Sequence, residues 1–102
     1  MASIKLTIMS KIEAPQGTVK VGEDYEITDS KDSTWQEWYS GTDYYLNETT
    51  GEITAIEYDG FDNARNPKSS WENETGRKPL TLEQLPEAVR EMVTHILAKK
   101  QR

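Results

Sequence analysis

Apolar residues recur at helical spacing in one stretch of this 102-residue chain, and that stretch comes after everything else. Leu82, Leu85, Val89, Met92, Val93, Ile96 and Leu97 recur at helical spacing, each three or four residues from another of the set, which gives a helix one apolar side. Thr81 and Gln84 stand ahead of it at capping-box spacing. Pro86 suits a first helical turn but has no N–H to donate, so the pattern predicts a short turn through Leu85 and a main helix from Pro86 to about Lys99, within a helical region 82–100. Lys99, Lys100 and Arg102 lie where the helix dipole favours cations.

Upstream the period is two. Ile4, Leu6 and Ile8 alternate with polar residues, "APQG" at 14–17 interrupts, and Val19, Val21, Tyr25 and Ile27 resume, as one strand bent at Gly22 or two short ones over 18–28. "TDSKDS" at 28–33 reads as a polar loop. Residues 34–39 are strand formers, Ser40-Gly41 supplies a turn, Asp43 to Leu46 runs back, "NETTG" at 47–51 is a hairpin loop, and Ile53 to Tyr58 is a third strand. Gly60, Pro67, Gly76 and Pro79, set among Asn, Asp and Ser, make 59–80 a long loop. Strands that precede a helix rather than alternate with it predict a single α+β domain over 1–102: a meander sheet of four to six antiparallel strands over 3–58, SH3-like or roll-like as a variant, packed by the C-terminal helix.

With 34 % hydrophobic residues the core is small, and a homo-oligomer or a docked partner is a way to bury more apolar surface. The chain has no cysteine, which removes disulfides, thiolate metal sites and a cysteine nucleophile. The N-terminal residues alternate and carry lysines, unlike a signal peptide, and no run approaches the length of a membrane span, so a soluble cytoplasmic protein is expected. The net charge of -6 is unevenly laid out: from Val21 to Glu74 there are fourteen acids against Lys31, Arg65 and Lys68. That layout opposes direct nucleic-acid binding and favours a basic protein partner.

Five of the nine aromatic residues fall between Trp35 and Tyr45, interleaved with acids rather than with arginine and lysine. "WQEW" from Trp35 and "YYLNETT" from Tyr44 resemble the first strand and the Tyr-Tyr-x-Asn-x-x-Thr core of a WW domain, over about a fifth of the chain. Ala55 stands where that family has its second Trp, and the following Pro is absent, so the resemblance implies a meander and not proline-rich peptide binding.

Catalytic signals are absent from the sequence. His95 is the single histidine and lies four residues from Glu91, the spacing of a surface helical pair. No nucleophile elbow is present, "DGFDN" at 59–63 lacks the pattern of an EF-hand, and eighteen acids make some carboxylate pair inevitable. No enzyme, cofactor or metal site is expected.

Two surfaces remain. The first is an interaction patch of Trp35, Glu37, Trp38, Tyr39, Asp43, Tyr44 and Tyr45, exposed rings among acids, suited to docking on a basic protein. In size and charge the chain resembles the small acidic inhibitors of phages and mobile elements, some of which occupy nucleic-acid-binding sites by presenting carboxylates in place of phosphates. The second gathers Phe61, Arg65, Trp71, Asn73, Arg77 and Lys78 of the 59–80 segment with Arg90, an inventory that would hold a small planar anion such as a nucleotide signal.

Overall fold

The computed structural model of the chain describes residues 12–31 and 36–100. Four strands follow one another and pair in that order, all antiparallel: β1 (Thr18–Lys31), β2 (Gln36–Asn47), β3 (Ile53–Asn63) and β4 (Trp71–Leu80). A 3-10 turn at Leu82–Gln84 leads into α1 (Glu87–Lys100). The fold is therefore α+β, a meander sheet closed on one side by a C-terminal helix. The alternating N-terminal segment around Ile4, Leu6 and Ile8 lies outside the described residues, as does Trp35.

Local chemistry explains the turns. The Asn47 side-chain oxygen accepts from the backbone N–H of Thr49 and Thr50 at 2.9 and 3.1 Å, and the Asn47 carbonyl accepts from Gly51 at 2.7 Å, which reverses the chain between β2 and β3. Asn63 repeats the device after β3, accepting from Arg65 and Asn66 at 3.0 Å each. Ahead of α1, the Thr81 N–H donates to Gln84 Oε1 at 2.8 Å, so the predicted reciprocal cap forms, although it closes the 3-10 turn rather than the main helix.

Strand boundaries depart from the sequence reading in three places. The polar stretch that begins at Thr28 is strand as far as Lys31, because its backbone pairs with β2 there, and not loop. Ser40-Gly41 is not a turn: β2 runs straight through it. The segment 59–80 is not a loop either. β3 continues to Asn63 and β4 fills Trp71–Leu80, leaving only Pro67–Ser69 as a 3-10 turn between them. Pro79 is tolerated because, among the described strands, β4 has a neighbour only on the β3 side; separately, β4 carries one extra residue, Thr75, opposite the Glu57–Tyr58 step. Of the two readings for 18–28, β1 is one strand, with register shifts at Val21, beside Gly22, and at Thr28.

The core under the helix joins Val21, Tyr44, Leu46, Ile53 and Ala55 of the sheet to Leu85, Val89 and Val93, with Leu80, Ile96 and Leu97 at its margin. Val89 sits directly against Gly22, where a Cβ would collide with it. Met92, placed on the apolar side by periodicity, is 47 % exposed, and Leu82 also faces out. Fourteen helical residues span about 21 Å, whereas the fourteen of β1 span about 46 Å in a molecule 50 Å long, so α1 covers one end of its sheet face and leaves the rest bare.

Candidate functional site

The face of the sheet opposite α1 is built from tyrosines seated on glycines. Tyr39 of β2 registers with Gly60 of β3, and Gly41 registers with Tyr58, so the pair of motifs is reciprocal. A Cβ on Gly60 would lie against the Tyr39 ring at Cζ, 2.5 Å from its hydroxyl oxygen and 2.7 Å from its Cε1, and one on Gly41 would lie 2.7 Å from the Tyr58 hydroxyl. Each ring thus occupies the space its opposite residue leaves empty. This is why neither glycine behaves as a chain breaker. Tyr39 stacks edge to face on both Tyr25 and Tyr58, with centroids 6.1 Å apart in each case.

Carboxylates hold the hydroxyl ends. Tyr39 donates to Glu72 at 2.9 Å and Tyr58 to Glu23 at 2.8 Å, while Lys20 reaches Glu23 at 3.5 Å and Asp43 at 3.4 Å. Asp43, Asp62 and Glu72 are all buried. Burial, followed by its hydrogen bond to Glu23 and the nearby negative charges, raises the Tyr58 phenol far above its ordinary pKa. Burial also raises Tyr45, helped by the charge of Asp43 and a hydrogen bond to it. These groups build the core of that face.

The predicted interaction patch therefore divides. Tyr44 is buried beneath α1, and Tyr39, Asp43 and Tyr45 are buried on the opposite face, so none of the four can form an exposed docking surface. The reason is the pleat: with a period of two, a run such as Asp43-Tyr44-Tyr45-Leu46 sends consecutive side chains to opposite faces, and here those on both faces are buried. Glu37 is half-buried, and Trp38 stays 40 % exposed.

Trp38 does not stand alone. Its indole meets Phe61 at a centroid distance of 4.9 Å and Trp71 at 5.5 Å, an aromatic cluster drawn from three adjacent strands. Register places it on the α1 side of the sheet, at the end the helix does not reach. From the cluster toward the helix the same face carries Asp29, level with Trp38, then Glu26 and Asp24 from β1 and Asp59 and Glu57 from β3, all exposed. Ser40 and Thr42 of β2 lie between these acids. A groove of about 430 Å³ runs here, lined by Asp24, Glu26, Glu57, Ser40, Thr42 and Thr75 among others, with no lysine or arginine in its lining. The Tyr44 phenol, at the groove's helix end, is raised by burial and then by the charges of Asp24 and Glu57.

These five acids escape a search for aromatic clusters, yet they had a signature: Asp24-x-Glu26 and Glu57-x-Asp59 are same-face pairs in strands. The alternative ligand-holding set does not converge. Phe61, Trp71 and Asn73 lie toward the cluster end, with Arg65 in the turn after β3, whereas Lys78 registers with Ala55 beneath the helix and Arg90 belongs to α1. Arg77 is engaged elsewhere, donating to both carboxylate oxygens of Glu74 at 2.6 and 2.8 Å and to the Glu13 carbonyl at 3.1 Å. That pairing raises the guanidinium and lowers the Glu74 carboxyl. Among the described residues no cluster of three or more histidine, aspartate or glutamate side chains is arranged to hold a metal, and no helix is long and apolar enough to cross a membrane. No protein-family model, curated protein or solved structure matches the chain.

Proposed function

We propose that the chain is a non-enzymatic binding protein that docks on a basic surface of a partner protein through the bare half of its helix-side sheet face. One observation carries this: five exposed carboxylates and an aromatic cluster share that face, and its groove contains no cation. The acids supply long-range attraction and registry, and the indoles supply the contacts that hold the complex. Cytoplasmic action as a small inhibitor of the phage type is compatible with this size and charge. The small-anion reading loses its motive, because the cationic side chains it requires lie apart and Arg77 is already paired.

The test is binding kinetics against a partner isolated with the chain as bait. Trp38→Ala should speed dissociation roughly 30-fold, equivalent to about 2 kcal/mol, and added salt should slow association while leaving dissociation nearly unchanged. Wild-type kinetics for both Trp38→Ala and a variant neutralised at Asp24 and Glu57 would place the working surface elsewhere.

A further inference from the structure

We infer that the partner surface is one built to grip the backbone of a nucleic-acid duplex, so that this protein and a duplex exclude each other from it. The inference rests on the docking reading and adds the partner's chemistry. Its basis is that the acids form two rows rather than a patch. Asp24 and Glu57 both register on Thr42, and Glu26 and Asp59 both register on Ser40. The β1 row and the β3 row are thus two strand spacings apart, about 10 Å, and neighbours within a row are about 7 Å apart.

Between the rows the floor is neutral and hydroxyl-bearing, from Ser40 and Thr42. A duplex offers a comparable layout: two anionic phosphate rows border grooves about 6 and 12 Å wide, widths that bracket the spacing of the acid rows, with polar groups between them. Proteins that hold a duplex place lysine and arginine on both rows at once. An undifferentiated basic patch has no need of a second row or a neutral floor. Trp38 continues the floor beyond Ser40, registered with Asp29 on one side and Phe61 on the other, and adds an apolar anchor.

The experiment uses the full chain against defined probes. An HU-type architectural protein and an HMG box, which grip duplexes chiefly through backbone and minor groove, are each loaded with a short fluorescent duplex. Cytochrome c and avidin serve as basic proteins without a surface built for a duplex, whose attraction to one is only the non-specific kind that salt weakens. Duplex release is read by anisotropy, and direct binding by interferometry at physiological ionic strength.

The chain should release duplex from at least one loaded protein. Asp24→Asn with Glu57→Gln should raise the concentration required by about tenfold or more. Glu52→Gln with Glu91→Gln removes equal charge at exposed positions off this face and should change it less than about twofold. Failure to release duplex from either protein, equal effects of the two double variants, or equally tight binding to cytochrome c or avidin would each overturn the inference. Binding that depends on Asp24, Glu57 and Trp38 without duplex release sinks the nucleic-acid part alone. Binding indifferent to all three sinks the docking reading as well.

Discussion

Gly60→Ala should be among the most damaging single-methyl changes available to this protein. In the sheet, a Cβ at position 60 would lie 2.5 Å from the Tyr39 hydroxyl oxygen and 2.7 Å from its Cε1, well inside contact distance. The ring cannot rise freely, since its hydroxyl donates to the buried Glu72 at 2.9 Å and its faces and edges meet Tyr25 and Tyr58. Overpacking of this kind costs about 1–3 kcal/mol. Losing the hydrogen bond to a buried carboxylate adds about 1.5–3 kcal/mol. The sum, about 2.5–6 kcal/mol, is a large share of the roughly 5–15 kcal/mol that holds a domain folded. Urea unfolding followed by tyrosine and tryptophan fluorescence measures it directly, and Tyr39→Phe isolates the hydrogen-bond part. If Gly60→Ala unfolds within about 0.5 kcal/mol of the wild type, the magnitude of an ordinary surface substitution, the seat-and-ring account of these strands is wrong.

Alkaline stability is a second test. Tyr44, Tyr45 and Tyr58 all have raised phenol pKa values in the fold, so the unfolded chain releases its protons first, and stability intact below about pH 10 should decline as pH rises toward the folded values. Each retained proton contributes about 1.4 kcal/mol per pH unit; denaturation midpoints across that range should fall less steeply in Tyr58→Phe, and an identical slope would show that Tyr58 is not shielded. Leu46→Ala, at a site with no solvent exposure, should cost about 2–5 kcal/mol by thermal or chemical unfolding. Met92→Ala, on the exposed side of α1, should stay within about 0.5 kcal/mol, and a large loss there would reveal a covering partner or a second copy.

Elements whose logic is local were readable from residue order. Thr81, Gln84 and Pro86 located the start of α1 within a residue, and the Asn47 to Gly51 turn formed as its side-chain chemistry requires. The antiparallel class followed from two-residue alternation that ends in a single amphipathic helix. The candidate surface was half legible: Trp38 was singled out for one site and Phe61 with Trp71 for another, because nothing in the chain order says that β2, β3 and β4 bring the three together.

Sequence by itself determined the strand-then-helix order, the acidic middle and the turn chemistry, since each depends on residues within a few positions of one another. Tertiary structure alone decided what Gly41 and Gly60 are for. A glycine reads as a break when its neighbours in sequence are considered, and as a seat when the tyrosine across the sheet is. The same cross-strand register decided which acids face outward in rows and which are buried against phenols, because a pleated strand assigns a face only once its partner is fixed.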